Sequence, residues 1–158
     1  MHDPPEISEV RNAREFISAE GSKFGRDELK GIPLVGVAGT ATTLACLDQG
    51  LKEFEVGKVR GYILSRERIG EWGRKLSGLT AREIRALSSA TEGRADILAA
   101  GALILHGFMH HLGSEAMTVS ERGLRYGMAL REWDGASGDR SPAGVPPDEA
   151  IPSSPVRE

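Results

Sequence analysis

Cysteine is almost absent from this chain: Cys46 is the single one among 158 residues. One cysteine excludes an intrachain disulfide and fits a reducing compartment. Cys46 falls within an apolar, helix-like stretch, and we interpret it as a small core residue rather than a nucleophile. No run approaches the ~18 apolar residues that a bilayer span requires, and the N-terminus lacks the features of a signal peptide. We therefore expect a cytoplasmic protein with no membrane partner.

Excess positive charge is also missing. Lysine and arginine number 20 against 23 acidic residues, which gives a net charge of −3. The longest basic cluster lies around Arg66–Arg68, whereas proteins that bind nucleic acid through its phosphates usually carry a basic surface or stripe. We therefore expect no nucleic-acid partner. The length is sufficient for one domain with a real core.

Helix and strand signals alternate along the chain, which is typical of α/β architecture. Asp3 precedes two prolines and is predicted to cap a helix over residues 6–20, which Gly21 ends. Short apolar runs predict strands at 32–37, 59–64 and 116–119. Further helices are predicted over 40–49, from a Ser65 cap to 76, from a capping box at Thr80, over 94–112 with Gly113 as its stop, and over 121–133. Two or three strands are few for an independent sheet, because most sheets have four to six.

The last 25 residues differ in composition from the rest. Between positions 134 and 158, glycine, proline and serine supply 12 residues and few apolar ones remain. Such a segment cannot bury enough surface to offset its ordering entropy. We predict a folded domain over 3–133 and a disordered tail over 134–158.

The most informative stretch is a glycine turn between a predicted strand and a predicted helix, at residues 34–45. Free amides at a helix start, together with the positive end of the helix dipole, form an anion site. Gly39 permits close approach to the backbone, and threonines follow it at once. The alternative is a plain strand–turn–helix link whose threonines only cap the helix. No Gly-Lys-Ser/Thr occurs here, which excludes a Walker loop.

Four stretches, in order, resemble the exopolyphosphatase/guanosine-pentaphosphate phosphatase family of the actin-like and sugar-kinase-like superfamily. Residues 36–45 (GVAGTATTLA) are similar to its GGTATTLA signature, and 59–62 (VRGY) to its v-h-G-y strand. Residues 94–102 (RADILAAGA) resemble its R-A-D-V-I-x-A-G-A helix, and 119–127 (VSERGLRYG) its V-S-D-R-G-L-R-x-G segment. Ala38 stands where the family often has glycine, which is tolerated if φ is negative there. Glu121 stands where it often has aspartate, so the carboxylate is kept.

The resemblance implies two actin-like (ribonuclease H-like) domains with the active site in the cleft between them. The first domain would supply an Asp-x-Gly-Ser-Asn-Ser loop and a water-activating glutamate, and the start of the second a Gly-Gly-Gly-Ser loop. None of these motifs occurs in this sequence. We therefore expect the C-terminal part of such a protein, a partial actin-like domain that lacks its first strands, with few strands covered by several helices.

The family reaction is phosphoanhydride hydrolysis of polyphosphate or guanosine pentaphosphate, with Mg²⁺. The resemblance implies that phosphate oxygens are held by Gly39, Thr40, Ala41 and Thr42, and it assigns no catalytic residue or metal ligand to this chain. We expect the chain to be inactive alone, and its partner to be a separate N-terminal domain chain or a second copy. The alternative is a non-catalytic phosphate- or nucleotide-binding module, or a docking partner of a catalytic domain.

Other polar residues allow two interpretations each. Arg94 either faces the ligand cleft or serves in capping and ion pairing at a helix start. The turn Ser120, Glu121 and Arg122 follows a strand as Gly39 does, so it either lines the same cleft or lets Ser120 cap a helix. His106 and His110 have i, i+4 spacing, but we interpret them as part of a partly solvated helix face rather than as metal ligands.

Overall fold

The computed structural model describes residues 2–23 and 31–136. The chain divides into two compact units, residues 1–121 and 122–158. Of the predicted tail, residues 134–136 belong to the last helix, and 137–158 lie outside the described residues. The sheet, the helices that cover it and the Gly39 turn lie in the first unit.

Within the described ranges the fold is α/β, with seven helices and three strands. The strands are β1 (Val35–Val37), β2 (Ile63–Ser65) and β3 (Ala116–Ser120). The helices are α1 (Ile7–Gly21), α2 (Ala38–Asp48), α3 (Val56–Val59), α4 (Arg66–Leu76), α5 (Ala81–Arg85), α6 (Leu98–Leu112) and α7 (Leu124–Ala136). None of these helices combines the length and the apolar character needed to cross a bilayer. The α/β class and the shortage of strands are as the sequence predicts.

The sheet has the strand order β1-β3-β2. β1 runs parallel to β3 with Val37 opposite Ser120, and β2 runs antiparallel to β3 with Ile63 opposite Thr118. Because β1 and β3 are parallel, the segments that follow both strands emerge at the same edge of the sheet. The sheet therefore brings the turn at Gly39 beside the turn at Ser120.

One face of the sheet is buried under α2, α4 and α6. Leu64, Met117 and Val119 point to that face and are at most 2% exposed. The helices contribute Leu44, Ile69, Leu98 and Met109, which are fully buried. Cys46 is also fully buried, and burial raises the pKa of its thiol. The prediction that Cys46 is a core residue is confirmed.

The other face of the sheet is open. Val35, Val37 and Ile63 are about half exposed, at 51%, 45% and 49%. The apolar run at 32–37 predicts a buried strand, and this is wrong for β1, which alternates exposed, buried and exposed residues. An apolar sheet face of this kind is normally covered in a complete α/β domain.

Several helix ends follow the predicted capping chemistry. The Ser65 hydroxyl accepts a hydrogen bond from the Arg68 amide at 3.2 Å at the start of α4. Thr80 and Glu83 form the reciprocal capping box of α5. Gly113 adopts φ 68° and ends α6 in the left-handed conformation that favours glycine. These three predictions are confirmed.

Three local predictions are wrong. α1 begins after Glu6, which forms a capping box with Glu9, whereas Asp3 accepts a hydrogen bond from the Ala81 amide at 2.8 Å and so serves the start of α5. The segment 59–62 is not a strand: α3 ends at Val59, a turn follows, and β2 starts only at Ile63. The long helix begins at Leu98, so Arg94 lies in the turns before it.

Candidate functional site

The turn between β1 and α2 presents backbone donors. Val37 is the N-cap residue of α2 and its side chain cannot accept a hydrogen bond. A helix start leaves its first amides without intrahelical acceptors, and none of the residues that the structure describes outside α2 accepts from the amides of Gly39 or Thr40. Ala41 is the fourth residue of α2, where the amide donates to the carbonyl of the N-cap residue Val37. The start of α2 therefore offers unsatisfied N–H groups together with the positive end of the helix dipole.

The side chain of Arg94 lies against this helix start. A Cβ added at Gly39 would overlap the guanidinium group of Arg94. Glycine at position 39 therefore leaves room for a cation to rest on the first turn of α2. Planar guanidinium groups bind phosphate oxygens in pairs, so amides and guanidinium together form a cradle for an anion.

Arg94 has no counter-ion in the part of the chain that the structure describes. Among residues 2–23 and 31–136, no carboxylate lies within ion-pair distance of its guanidinium. Nor is Arg94 part of the cap of α6, because the N-cap of that helix is Ile97 and carries no side-chain cap bond. An exposed cation held at the positive end of a helix is electrostatically unfavourable. The arrangement would be relieved by a bound anion.

Two of the three threonine hydroxyls of the loop donate hydrogen bonds to backbone carbonyls of the protein. Thr42 donates to the carbonyl oxygens of Ala38 and Gly39 at 3.2 and 3.3 Å, within its own helix. Thr43 is buried and donates to Ala90 at 3.1 Å. Thr40 packs against Gly101 of α6, where an added Cβ would lie 2.8 Å from the Thr40 hydroxyl oxygen. The backbone amides, rather than these hydroxyls, are thus the main donors of the loop.

Ala41 supports the loop through the packing of its methyl group. Its side chain is 1% exposed, and a Cβ added at Gly36 would lie 3.1 Å from it. The methyl group of Ala41 thereby packs the first turn of α2 onto β1. This contact fixes the direction in which the loop amides point.

Ala38 has a backbone conformation that alanine rarely adopts. Its φ is 67°, in the left-handed region. The expectation that alanine is tolerated at this position depended on a negative φ, and that condition is not met. A left-handed alanine costs about 1 kcal/mol relative to glycine, so the departure from the family's glycine at Ala38 introduces strain directly beside the loop.

Glu121 follows β3 beside the loop. Arg60 donates to Glu121 Oε1 through Nε at 2.7 Å and also through its second nitrogen. The Glu121 side chain is only 17% exposed, and the Gly61 amide donates to the Val119 carbonyl at 2.9 Å. The stretches 59–62 and 119–121 are thus held together. Glu121 is half of an ion pair that fixes the turn.

Arg122 begins the second unit. Its guanidinium carbon lies 4.9 Å from the centre of the Tyr126 ring, in a cation–π contact within that unit. Ser120 belongs to the first unit and lies opposite Val37 in the sheet register, next to the Gly39 loop. Ser120 and Gly39 are therefore brought to one edge of the sheet.

A buried carboxylate that was not anticipated from the sequence ties α2 to its neighbours. Asp48 is 6% exposed and accepts hydrogen bonds from the Tyr62 hydroxyl at 2.8 Å, the Trp72 indole at 2.9 Å and Arg68 Nε at 2.7 Å. Burial alone would raise the pKa of Asp48, but these three donors outweigh it and lower that pKa. Burial and the bond to Asp48 raise the pKa of Tyr62 to about 12. The tyrosine of the VRGY stretch is therefore an anchor for the helix that carries the loop.

The site offers donors for anions and not ligands for cations. Within the described part of the chain, no group of three or more histidine, cysteine or carboxylate side chains is placed to hold a metal ion. Amides and a guanidinium group do not coordinate Mg²⁺, which prefers oxygen ligands. The residues of this loop thus do not fit a resident metal ion.

Comparisons with known proteins point to one family. The sequence model of the Ppx/GppA phosphatase family matches residues 1–135. The chain is 30% identical over 138 residues to exopolyphosphatase 2 of Mycobacterium tuberculosis, which covers 81% of this chain and 42% of that protein.

Two crystal structures from Aquifex aeolicus resemble the fold. The type II variant of its Ppx/GppA phosphatase superposes with a TM-score of 0.74 at 30% identity, over 83% of this chain and 43% of that one. The structure of the Aquifex aeolicus member of the Ppx/GppA family superposes with a TM-score of 0.77 at 28% identity, over 87% and 44%. The chain thus spans less than half the length of the proteins it matches, and its fold is part of an actin-like domain.

Proposed function

This chain belongs to the Ppx/GppA phosphatase family, and we propose that it supplies a phosphate-binding loop for phosphoanhydride hydrolysis. The proposed substrate is polyphosphate, with guanosine pentaphosphate as the other member of the same class. The amides of Gly39 and Thr40 and the guanidinium of Arg94 bind the phosphate oxygens, and Ala41 and Thr42 support the helix turn that presents them. The observation that carries this assignment is the position of Arg94 on Gly39 without a carboxylate partner.

The role of this loop in the reaction is positioning and charge stabilisation. Phosphoryl transfer depends on holding the phosphate group in line and on offsetting the charge that its oxygens carry. Amides fixed by α2 do this without reorganising, because the helix is anchored through Ala41 and Asp48. Thr42 makes no direct contact in this proposal, since its hydroxyl bonds to its own helix and its amide lies beyond the free first turn of that helix.

The attacking water must be activated by a group that we do not find in this chain. The relatives are more than twice as long as the segment matched here. We therefore propose that the chain is inactive alone and that the water-activating carboxylate belongs to a separate N-terminal domain. Magnesium, which the resemblance implies for the longer relatives, has no ligand set in this loop, and we derive no step through it.

A docking role has its own support. The open sheet face exposes Val35, Val37 and Ile63 beside the loop, and exposed apolar patches mark interaction surfaces in soluble proteins. A second polypeptide that covers this face would complete both the domain and the site. The partner can be an N-terminal domain chain or a second copy of this chain.

The test combines binding and turnover. The purified 158-residue chain is titrated with inorganic tripolyphosphate by calorimetry, and phosphate release from polyphosphate is measured with Mg²⁺ present. We expect binding without turnover, and turnover once the N-terminal part of the Mycobacterium tuberculosis exopolyphosphatase 2 is co-expressed. Arg94→Ala should weaken the binding about tenfold, as expected for loss of a charge-assisted contact. Unchanged binding in Arg94→Ala would refute the proposed loop, and turnover by the chain alone would refute its dependence on a partner.

A further inference from the structure

A second cluster of positive charge lies away from the Gly39 loop. A cavity of about 740 Å³ opens between α1, α4 and α6. Three arginines and three histidines line it, against one carboxylate. Among these polar residues are Arg14, Arg66, Arg74, His106, His110 and Glu115.

This cavity lies at the opposite end of the sheet from the loop. Arg66 directly follows β2 and its amide donates to the Glu115 carbonyl at 2.8 Å, just before β3 begins. The Gly39 loop instead adjoins Ser120, at the end of β3. Gly101, which contacts Thr40 of the loop, and His110 are roughly 13 Å apart along α6. The two clusters are therefore distinct sites on one rigid scaffold.

The described residues leave two of the three arginines of the cavity without a carboxylate partner. Glu115 is 80% exposed and pairs with Arg66 at 2.8 Å. Arg14 and Arg74 have no carboxylate within ion-pair distance among the residues that the structure describes. Two arginines on two different helices thus face one cavity without counter-ions.

The pKa of His106, which also lines the cavity, reflects burial and this positive charge. The pKa of His106 is lowered by burial first and then by the positive charges of His110, Arg14, Arg66 and Arg74. These groups belong to all three helices that line the cavity. A bound anion would act in the opposite direction and raise the pKa of His106.

Glycines allow the three helices around the cavity to pack closely. A Cβ added at Gly70 would lie 2.9 Å from His106 Nε2, so the imidazole rests on the backbone of α4. A Cβ added at Gly73 would lie 3.5 Å from the Leu103 side chain, and one added at Gly107 would overlap Ile17 of α1. The helices are thus packed closely at these residues, and Leu103 and Ile17 supply the apolar part of the cavity lining.

We propose that this cavity is a second anion-binding site that takes an oligophosphate group, either free or carried by a nucleotide. Its volume falls within the range of small-molecule pockets. Two separate unpaired guanidinium groups match a ligand with at least two phosphates, because each planar fork binds one group of oxygens. The site goes beyond the function proposed above, since none of its residues belongs to the Gly39 loop.

The direct test follows the histidines by NMR. The chain has four histidines, and His2 lies outside the cavity, so it serves as an internal reference. Addition of inorganic tripolyphosphate to the full chain should shift the Cε1–H signals of His106 and His110, and should raise the pKa of His106 by at least about half a unit, because a nearby negative charge favours the protonated form. Absence of any histidine shift at saturating tripolyphosphate would overturn the proposal.

Variants separate this site from the loop. Arg14→Ala combined with Arg74→Ala should abolish the histidine shifts and weaken binding there at least about tenfold. Arg82→Ala combined with Arg85→Ala removes the same charge from α5, which does not line the cavity, and should leave the shifts intact. Arg14→Lys with Arg74→Lys should restore part of the affinity, and a cooperative thermal transition confirms that each variant is folded.

The outcomes distinguish the two proposals. Loss of the histidine shifts in Arg94→Ala but not in the Arg14 and Arg74 double variant would refute the second site and leave the loop intact. The reverse pattern supports the second site even if the loop proposal fails. Guanosine triphosphate is the comparison ligand. Stronger binding than that of tripolyphosphate indicates that the apolar lining contacts the base. Equal binding indicates that the site recognises the phosphates alone.

Discussion

The guanidinium group of Arg94 occupies the space that a side chain on Gly39 would need. This contact joins two of the four family-like stretches, which are distant in sequence. It places a cation without a carboxylate partner on the first turn of α2. The contact also makes the loop sensitive to the addition of a single methyl group.

Gly39→Ala should reduce anion binding without unfolding the protein. The new methyl group displaces only the flexible end of Arg94, so the free energy of unfolding should change by no more than about 1 kcal/mol, the difference in helix propensity between the two residues. Tripolyphosphate affinity should fall about tenfold through loss of the Arg94 contact. Calorimetry and urea unfolding measure the two quantities. Gly57→Ala is the matched control, because no atom lies within 4 Å of the added Cβ, and an equal loss of affinity in that variant would contradict the explanation.

Ala38→Gly should stabilise the fold. Relief of the left-handed φ of 67° is worth about 1 kcal/mol and is partly offset by the extra freedom of glycine in the unfolded chain, which leaves a gain of about 0.5 kcal/mol. Urea unfolding provides the measurement. Ala41→Gly, at a buried position of the same helix turn, should instead destabilise by about 1 kcal/mol or more. Similar destabilisation by both substitutions would show that position 38 is not strained.

Asp48→Asn should destabilise the fold by about 2 kcal/mol at neutral pH, because the charged acceptor shared by Tyr62, Trp72 and Arg68 is lost. The folded pKa of Asp48 is lowered. Its contribution is therefore fully present above the unfolded value of about 4, and it is lost as the pH falls through the lowered folded value. The difference between wild type and variant should shrink in acid. Asp96→Asn, at an exposed position, is the control, and a pH-independent difference for Asp48→Asn would argue against this account.

His106→Gln should flatten the pH dependence of stability in weak acid. The folded pKa of His106 is lowered, so the unfolded chain binds the proton more readily. Stability is unaffected above the unfolded pKa of about 6.5 and falls as the pH drops from there toward the lowered folded value. Thermal unfolding between about pH 5 and 8 measures this slope. His2→Gln should keep the wild-type slope, and the prediction fails if His106→Gln keeps it too.

The sequence predicts the parts of the fold that depend on local chemistry. The caps at Ser65 and Thr80 and the glycine at 113 follow from hydrogen bonding and φ preferences of neighbouring residues, and all three occur in the structure. The turn at Gly39 is likewise local, since β1, the glycine and α2 are contiguous.

Features that depend on tertiary contacts were not predictable in this way. Asp3 has the sequence context of a cap for α1, yet its carboxylate bonds to Ala81, far along the chain. The left-handed φ of Ala38 runs against the preference of alanine and is imposed by the geometry between β1 and α2. The cationic cavity draws Arg14 and Arg74 from two separate helices, so no basic cluster is visible in the linear sequence.

Gly101 is the point at which α6 contacts Thr40 of the loop. At one end of the helix Gly101 seats Thr40 of the loop, and toward the other end His106 rests on Gly70 of α4. The same helix therefore contacts both the Gly39 loop and the cationic cavity. If an anion bound at one of them changes the affinity of the other, the reverse effect has the same factor, because linked binding equilibria are reciprocal.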